Sequence, residues 1–258
     1  MIPLLRDQER QVVEMGKAEL FSLSHKRLAQ FIWDRYWKGS YEDDFTYYGV
    51  NPRVLSRDEA KKPATIFLHA QGSNQGSWLP MLHRLESSNL GPRFSINYAG
   101  EAFEEKLLEK IEMIRKLYLA AGADHVELNL VGHSLGATNA VDFGYNPQKW
   151  LEGVRIVKIV AIAGRLKNIE PPTETPYYAY CYDVLIRLDE IWERVMRRLG
   201  GAELFTCRAE EDWLIPAESI DLGEDEKHRI TIQGRGHLRV VFSRAATDYV
   251  LKCLANPS

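Results

Sequence analysis

The chain has 258 residues, 45% of them hydrophobic, and a formal net charge of −3. That is enough apolar material for one α/β domain with a substantial core, while the acidic balance and the lack of a basic run exclude the usual electrostatic footprint of a nucleic-acid binder. Cys181, Cys207 and Cys253 lie far apart without a C-x-x-C pair, so the pattern offers neither a zinc site nor a disulfide framework and reads as reduced, buried thiols.

The first residues, Met1-Ile2-Pro3-Leu4-Leu5-Arg6-Asp7, turn charged too early for the apolar core of a secretory signal, and no run reaches the length of a membrane span. A cytoplasmic location is the default expectation. From Gln8 to Trp37, apolar residues at helical spacing (Val12, Met15, Leu20, Leu23, Leu28, Phe31) predict a helical segment. Residues 1–60 are expected to form an extension that packs on a core of residues 61–258. Asp34, Arg35 and Lys38, interleaved with Trp33, Tyr36, Trp37 and Tyr41, favour that packing over contact with a membrane surface.

Phe45 to Tyr48 and Val54 are candidates for entry strands, and Ala64 to His69 is a continuous apolar run suited to a strand covered on both faces. A helix is expected over Trp78 to Leu85, a strand over Phe94 to Tyr98, and a helix over Phe103 to Leu119, where Phe103, Leu107, Ile111, Ile114 and Tyr118 make one stripe. Val126 to His133 and Val154 to Ala163 are further buried strands. A helix over Val184 to Leu199 precedes strand runs beginning at Glu203 and His228, and Val241 to Leu254 closes the chain as a helix. Strands alternating with helices predict an α/β fold: a doubly wound, mostly parallel sheet flanked by helices, with ligands at its carboxyl edge.

Where the Val126 run ends, the sequence reads Gly132-His133-Ser134-Leu135-Gly136. A G-x-S-x-G pentapeptide arises by chance in ordinary loops, but here an apolar strand precedes it and a helix-prone segment follows, as a nucleophile elbow requires. Glycine two residues either side of the serine relieves the crowding of so sharp a turn. The helix beginning just past Ser134 aims its N-terminal N–H groups and positive dipole end at the serine. A serine hydroxyl needs a base, and the base a group to orient it. Both are available downstream. Glu210, Glu211 and Asp212 follow one strand run, and Gly236-His237 follows the next, so an acid and His237 can converge on Ser134 at the carboxyl ends of their strands.

With these residues in place, the chain resembles the α/β-hydrolase family, more narrowly its lipase and esterase-like members, over roughly residues 60 to 255. Four separated segments carry the resemblance: Thr65-Ile66-Phe67-Leu68-His69-Ala70-Gln71-Gly72-Ser73 with Trp78 after it, the elbow, Ala209 to Pro216, and Gly236-His237-Leu238. The resemblance implies a catalytic set of Ser134, Asp212 and His237, in the chain order that family uses. It also implies an oxyanion hole made by the backbone N–H groups of Leu135 and Gln71. Ala70 stands where the family usually has glycine and is the alternative donor. His69 is expected to brace the oxyanion loop, and His133 to pack beneath the nucleophile.

A lid-like insertion is expected over residues 165–183, with Tyr177, Tyr178 and Tyr180, together with Trp213, as candidate substrate-binding aromatics for an apolar acyl group. His25, His83, His125 and His228 read as surface or satisfied core residues. The expected activity is hydrolysis of a small ester or lipid substrate without metal or organic cofactor. An acyltransferase sharing the same residues, or a hydrolase-shaped binding module, is the alternative, and oligomeric state is not legible.

Overall fold

Runs of β-branched and aliphatic residues that bury both of their faces line up as adjacent strands. The structure, a computed structural model, describes residues 45–46, 54–98, 103–167, 201–220 and 225–255. Its elements, in chain order, are β1 (Phe45–Thr46), β2 (Ala64–Leu68), α1 (Leu79–Leu85), β3 (Arg93–Ile96), α2 (Phe103–Ala120), β4 (Val126–His133), α3 (Leu135–Gly144), β5 (Val154–Ile162), β6 (Glu203–Ala209), β7 (Arg229–Ile232) and α4 (Arg244–Ala255). The described strands form one sheet in the order β1-β3-β2-β4-β5-β6-β7. Only β1 runs antiparallel to its neighbour.

Two apolar layers cover the sheet. Leu107, Ile111, Ile114 and Tyr118 of α2 and Ala137, Ala140 and Val141 of α3 pack on Ile66, Leu68, Leu128, Leu130 and Ile159. On the opposite face, Leu79, Leu82 and Leu85 of α1 and Ala246, Val250 and Cys253 of α4 pack on Phe67, Val131, Val160 and Phe205. The fold is therefore the doubly wound, mostly parallel arrangement expected. The chain leaves β2 toward β3 on one side and returns to β4 on the other, so the order reverses between β2 and β4. Crevices at such a reversal, beyond the carboxyl ends of the strands, are where open α/β sheets place ligands.

One row across the sheet is polar. Arg93, Thr65, Asn129, Lys158 and Glu203 occupy matched positions on β3, β2, β4, β5 and β6. Two of these residues close helix ends, which otherwise leave carbonyls without partners. Lys158 Nζ donates to Cys253 O at 2.9 Å in the last turn of α4, and the Arg93 guanidinium donates to Leu85 O at the end of α1 and to Ser88 Oγ.

The closing helix starts later than its apolar residues suggest. Val240–Phe242 is a separate 3-10 turn, and Ser243 Oγ accepts from Ala246 N at 3.0 Å, which caps the helix so that it begins at Arg244. Val54, an entry-strand candidate, lies in an exposed non-regular segment. The helices expected over 8–37 and 184–199 lie outside the described residues, as do nearly all of the 165–183 insertion and Cys181. No described helix is long and apolar enough to cross a membrane.

Candidate active site

Ser134 stands alone between β4 and α3 with φ 53° and ψ −124°, a left-handed φ that a non-glycine residue adopts only when its surroundings force it. What forces it is visible on both sides. A Cβ on Gly132 would lie 2.3 Å from Gly136 O and 2.5 Å from Ala137 N, and one on Gly136 would lie 2.3 Å from Leu68 O and 2.5 Å from His69 O. Both contacts are with backbone, so neither site accepts a side chain without moving the chain. Ser134 N donates to Ile162 O at 2.9 Å, continuing the sheet, while Ser134 O accepts from Ala137 N at 2.9 Å, opening α3. One residue thus ends the strand and starts the helix, which directs its side chain outward at the carboxyl edge.

His237 reaches that side chain from the loop after β7. Its Nε2 lies 2.9 Å from Ser134 Oγ, and its Nδ1 lies 2.9 Å and 3.2 Å from the two carboxylate oxygens of Asp212. Ser134, His237 and Asp212, the three residues singled out from the sequence, are therefore joined in one hydrogen-bonded chain. A carboxylate only accepts, so Nδ1 carries the proton and the bare Nε2 faces the serine hydroxyl. Asp212 Oδ1 also accepts from Leu214 N at 2.9 Å and Ile215 N at 2.8 Å. These two donors fix the carboxylate, and a side chain without acceptors would leave them unpaired. The His237 and Asp212 side chains are 2% and 4% exposed, so this chain of contacts is shielded from bulk water. Glu210 is engaged elsewhere, accepting from Gly234 N at 2.9 Å.

Beside the elbow, Ala70 to Ser73 form a turn closed by Ser73 N donating to Ala70 O at 3.1 Å, with Gly72 at φ 64°. That positive φ at the third position is the glycine signature of a type II turn, with Gln71 as its second residue. The only non-glycine residues with positive φ among those described are Ser134 and Ala163, so the methyl of Ala70 meets no left-handed strain. The close approach of Leu68 O and His69 O to Gly136 sets this turn against the N-terminus of α3, where Leu135 lies.

His69 is held firmly. Its Nδ1 donates to Ala70 O at 2.8 Å, its Nε2 accepts from Tyr98 N at 3.3 Å, and the Tyr98 hydroxyl donates to His69 O. The two rings stack with centroids 4.1 Å apart. Burial raises the Tyr98 phenol well above its ordinary range, so it remains a neutral donor. The brace expected of His69 thus has a partner, Tyr98, that nothing in the sequence marked.

His133, the neighbour of the serine, donates from Nε2 to the backbone oxygen of His237 at 2.9 Å. Burial, reinforced by the nearby His237, pushes its pKa down to about 3, so the ring is neutral. Trp213 stands edge-on to His237 with centroids 6.2 Å apart. Tyr177, Tyr178 and Tyr180 lie outside the described residues.

No protein-family profile matches the chain, and no curated protein does. Solved structures do. Naproxen esterase (carboxylesterase NP) from Bacillus subtilis aligns with a TM-score of 0.55 at 10% identity, covering 90% of this chain and 99% of that one. Carboxylesterase CesB from Bacillus subtilis gives a TM-score of 0.52 at 14% identity, covering 89% and 97%. Monoacylglycerol lipase from Paleococcus ferrophilus gives 0.51 at 13% identity, covering 74% and 96%. At these identities the likeness is one of fold.

Proposed function

On an α/β-hydrolase scaffold whose solved neighbours include esterases and lipases, we propose that this protein is a serine hydrolase of carboxylic esters, with Ser134, His237 and Asp212 as its catalytic triad. The observation that carries the reading is the continuous chain from Ser134 Oγ through both nitrogens of His237 to Asp212. Its geometry suits general-base activation of a hydroxyl, since the nucleophile–base separation lies within hydrogen-bond reach in the free protein.

In this reading the bare Nε2 of His237 takes the proton of Ser134 as Oγ attacks the ester carbonyl. Asp212 holds the imidazole in the required tautomer and stabilises the imidazolium. The carbonyl oxygen becomes an anion, received by the backbone N–H groups of Leu135 and Gln71, with the positive end of α3 adding to the stabilisation. As the tetrahedral intermediate collapses, the bond to the alkoxy oxygen breaks and His237 gives its proton to the departing alcohol. A water molecule then loses its proton to His237, attacks the acyl-enzyme, and releases the carboxylic acid with Ser134 restored. No step calls for a metal or organic cofactor. Trp213, beside His237, offers an apolar wall for the acyl group. A cytoplasmic setting belongs to the same proposal, supported by the free, buried thiols of Cys207 and Cys253.

Hydrolysis of p-nitrophenyl esters of short, medium and long acyl chains, by wild type and Ser134→Ala side by side, tests the reading. Turnover that disappears in a folded Ser134→Ala protein is the expected result. Equal activity in both proteins would overturn it.

A further inference from the structure

We propose that His133 is a positioning residue for His237: its Nε2–H tethers the backbone of the base to the nucleophile's own elbow, holding the imidazole in place when the serine cannot. This inference rests on the triad proposed above.

The geometry is a closed ring of contacts. Ser134 Oγ meets His237 Nε2 at 2.9 Å, and one residue earlier His133 Nε2 meets His237 O at 2.9 Å. A single contact to the side chain would leave the histidine loop free to pivot about it. Two contacts from adjacent residues of the elbow, one to the ring and one to the main chain, fix both the distance and the orientation. The loop's flanks have other ties, Glu211 N to Arg235 O and Val240 N to Gly236 O. The bond from His133 acts at His237 itself.

The chemistry of the donor fits a permanent tether. A carbonyl can only accept, so Nε2 of His133 must carry its proton. The ring is neutral, and its charge would otherwise oppose the imidazolium that forms at His237, whose ring centroid is 5.1 Å away. His237, Asp212 and His69 are the titratable groups that act on this ring. A neutral donor to a backbone oxygen keeps its strength through the cycle, whichever protonation state His237 holds.

The tether matters most in the acyl-enzyme. There Ser134 Oγ is esterified and has no proton to offer, so the bond that located His237 Nε2 is gone. Asp212 still holds Nδ1, and His133 still holds the main chain. Between them they keep Nε2 aimed at the water whose proton it must take as that water attacks the acyl carbon. Loss of the tether is therefore expected to slow deacylation at least as much as acylation. Misplacement of a reacting group by about 1 Å costs on the order of 100-fold, which bounds the effect.

Two variants separate tethering from packing. His133→Phe keeps a planar ring without a donor, and His133→Gln keeps an N–H donor without the ring. The expected result with p-nitrophenyl esters is a kcat roughly 10- to 100-fold lower in His133→Phe. Its KM should hold steady or fall as acyl-enzyme accumulates, with a burst of p-nitrophenol preceding the slow steady state. Recovery of most of the lost kcat is expected in His133→Gln. A wild-type kcat in His133→Phe, or equal losses in the two variants, would overturn the proposal. A second readout requires no turnover: the downfield proton resonance of the His237 Nδ1–H···Asp212 bond should be sharp in wild type and His133→Gln and broadened in His133→Phe, at equal thermal stability. Were the wild type inactive on every ester, the hydrolase reading would fail on its own, and this resonance would still decide the tether: unchanged in His133→Phe, it refutes it.

Discussion

Replacements of Asp212 by Asn and by Ala should both cost activity but differ in stability, because the carboxylate has two separate tasks. Oδ1 accepts from the N–H groups of Leu214 and Ile215, and Oδ2 accepts from His237 Nδ1. In Asp212→Asn the amide oxygen stays with the two backbone donors, since an NH₂ group cannot accept from them. The amide nitrogen then faces His237 and donates to Nδ1, which drives the imidazole into the tautomer with its proton on Nε2. That nitrogen can no longer take the proton of Ser134. Loss of the correct tautomer costs on the order of 10⁴ in kcat, or about 5 kcal/mol of transition-state stabilisation, while stability should change little. Asp212→Ala removes both acceptors from a side chain that is 4% exposed. Each unpaired buried N–H costs about 1–3 kcal/mol, so this variant should lose roughly 2–6 kcal/mol and melt some 5–20 °C lower. Ester turnover and thermal unfolding on the same three samples check both halves. An Asp212→Asn protein retaining more than a tenth of wild-type kcat, or an Asp212→Ala protein as stable as Asp212→Asn, would refute the reasoning.

The glycines of the elbow and of the neighbouring turn should respond differently to a methyl group. Gly132→Ala drives a Cβ to 2.3 Å from Gly136 O and is expected to cost about 3 kcal/mol or more, whereas Gly72→Ala finds open space at φ 64° and should cost about 1 kcal/mol; urea unfolding of both variants measures the difference. Acid should destabilise the fold through His133. Its folded pKa lies below the ordinary 6.5, at about 3, so the unfolded chain binds a proton that the folded one refuses. The stability it contributes is complete above pH 6.5 and is lost as pH falls toward 3, a difference on the order of 5 kcal/mol. Urea unfolding across that window should show a shallower slope in His133→Gln, and an unchanged slope would show that His133 titrates freely.

The legible part of this protein was the part written locally in the chain. The elbow declares itself because strain at one serine demands glycines at fixed offsets, where a Cβ on either Gly132 or Gly136 would lie 2.3 Å from a backbone oxygen. An acid and His237 were legible at one edge of the sheet because each follows a strand run, whereas the choice of Asp212 over Glu210 and Glu211 comes from the family resemblance. The pairing of Tyr98 with His69 was not, since it joins residues 29 positions apart through a stacking contact that no periodicity encodes. His133 shows the other limit. Its place inside the motif was plain, but a histidine beside a serine reads equally as packing until the backbone oxygen of a residue 104 positions away is seen to receive its proton. Likewise, a polar residue inside an apolar strand is unremarkable. Only the register of five strands turns Arg93, Thr65, Asn129, Lys158 and Glu203 into a row.

That row bears on the chemistry at the other end of the sheet. Polar groups are costly inside a parallel sheet unless they are paired, and here Arg93 and Lys158 are paired with the carbonyl ends of α1 and α4. Both cations also oppose the negative ends of those helix dipoles. The two helices are joined to each other at the opposite end of α4, where Arg84 of α1 donates to Phe242 O at 2.9 Å and to Thr247 Oγ1 at 3.4 Å. Phe242 lies five residues after His237, in the turn that leads directly into α4. A helix fixed at its last turn by the sheet, and at its first by a neighbouring helix, presents the histidine loop from a rigid origin. The buried cations at the amino edge and the bond from His133 at the carboxyl edge therefore constrain the same segment from its two sides, so that His237 is held by the packing of the α1/α4 face as well as by its contacts with Ser134 and Asp212.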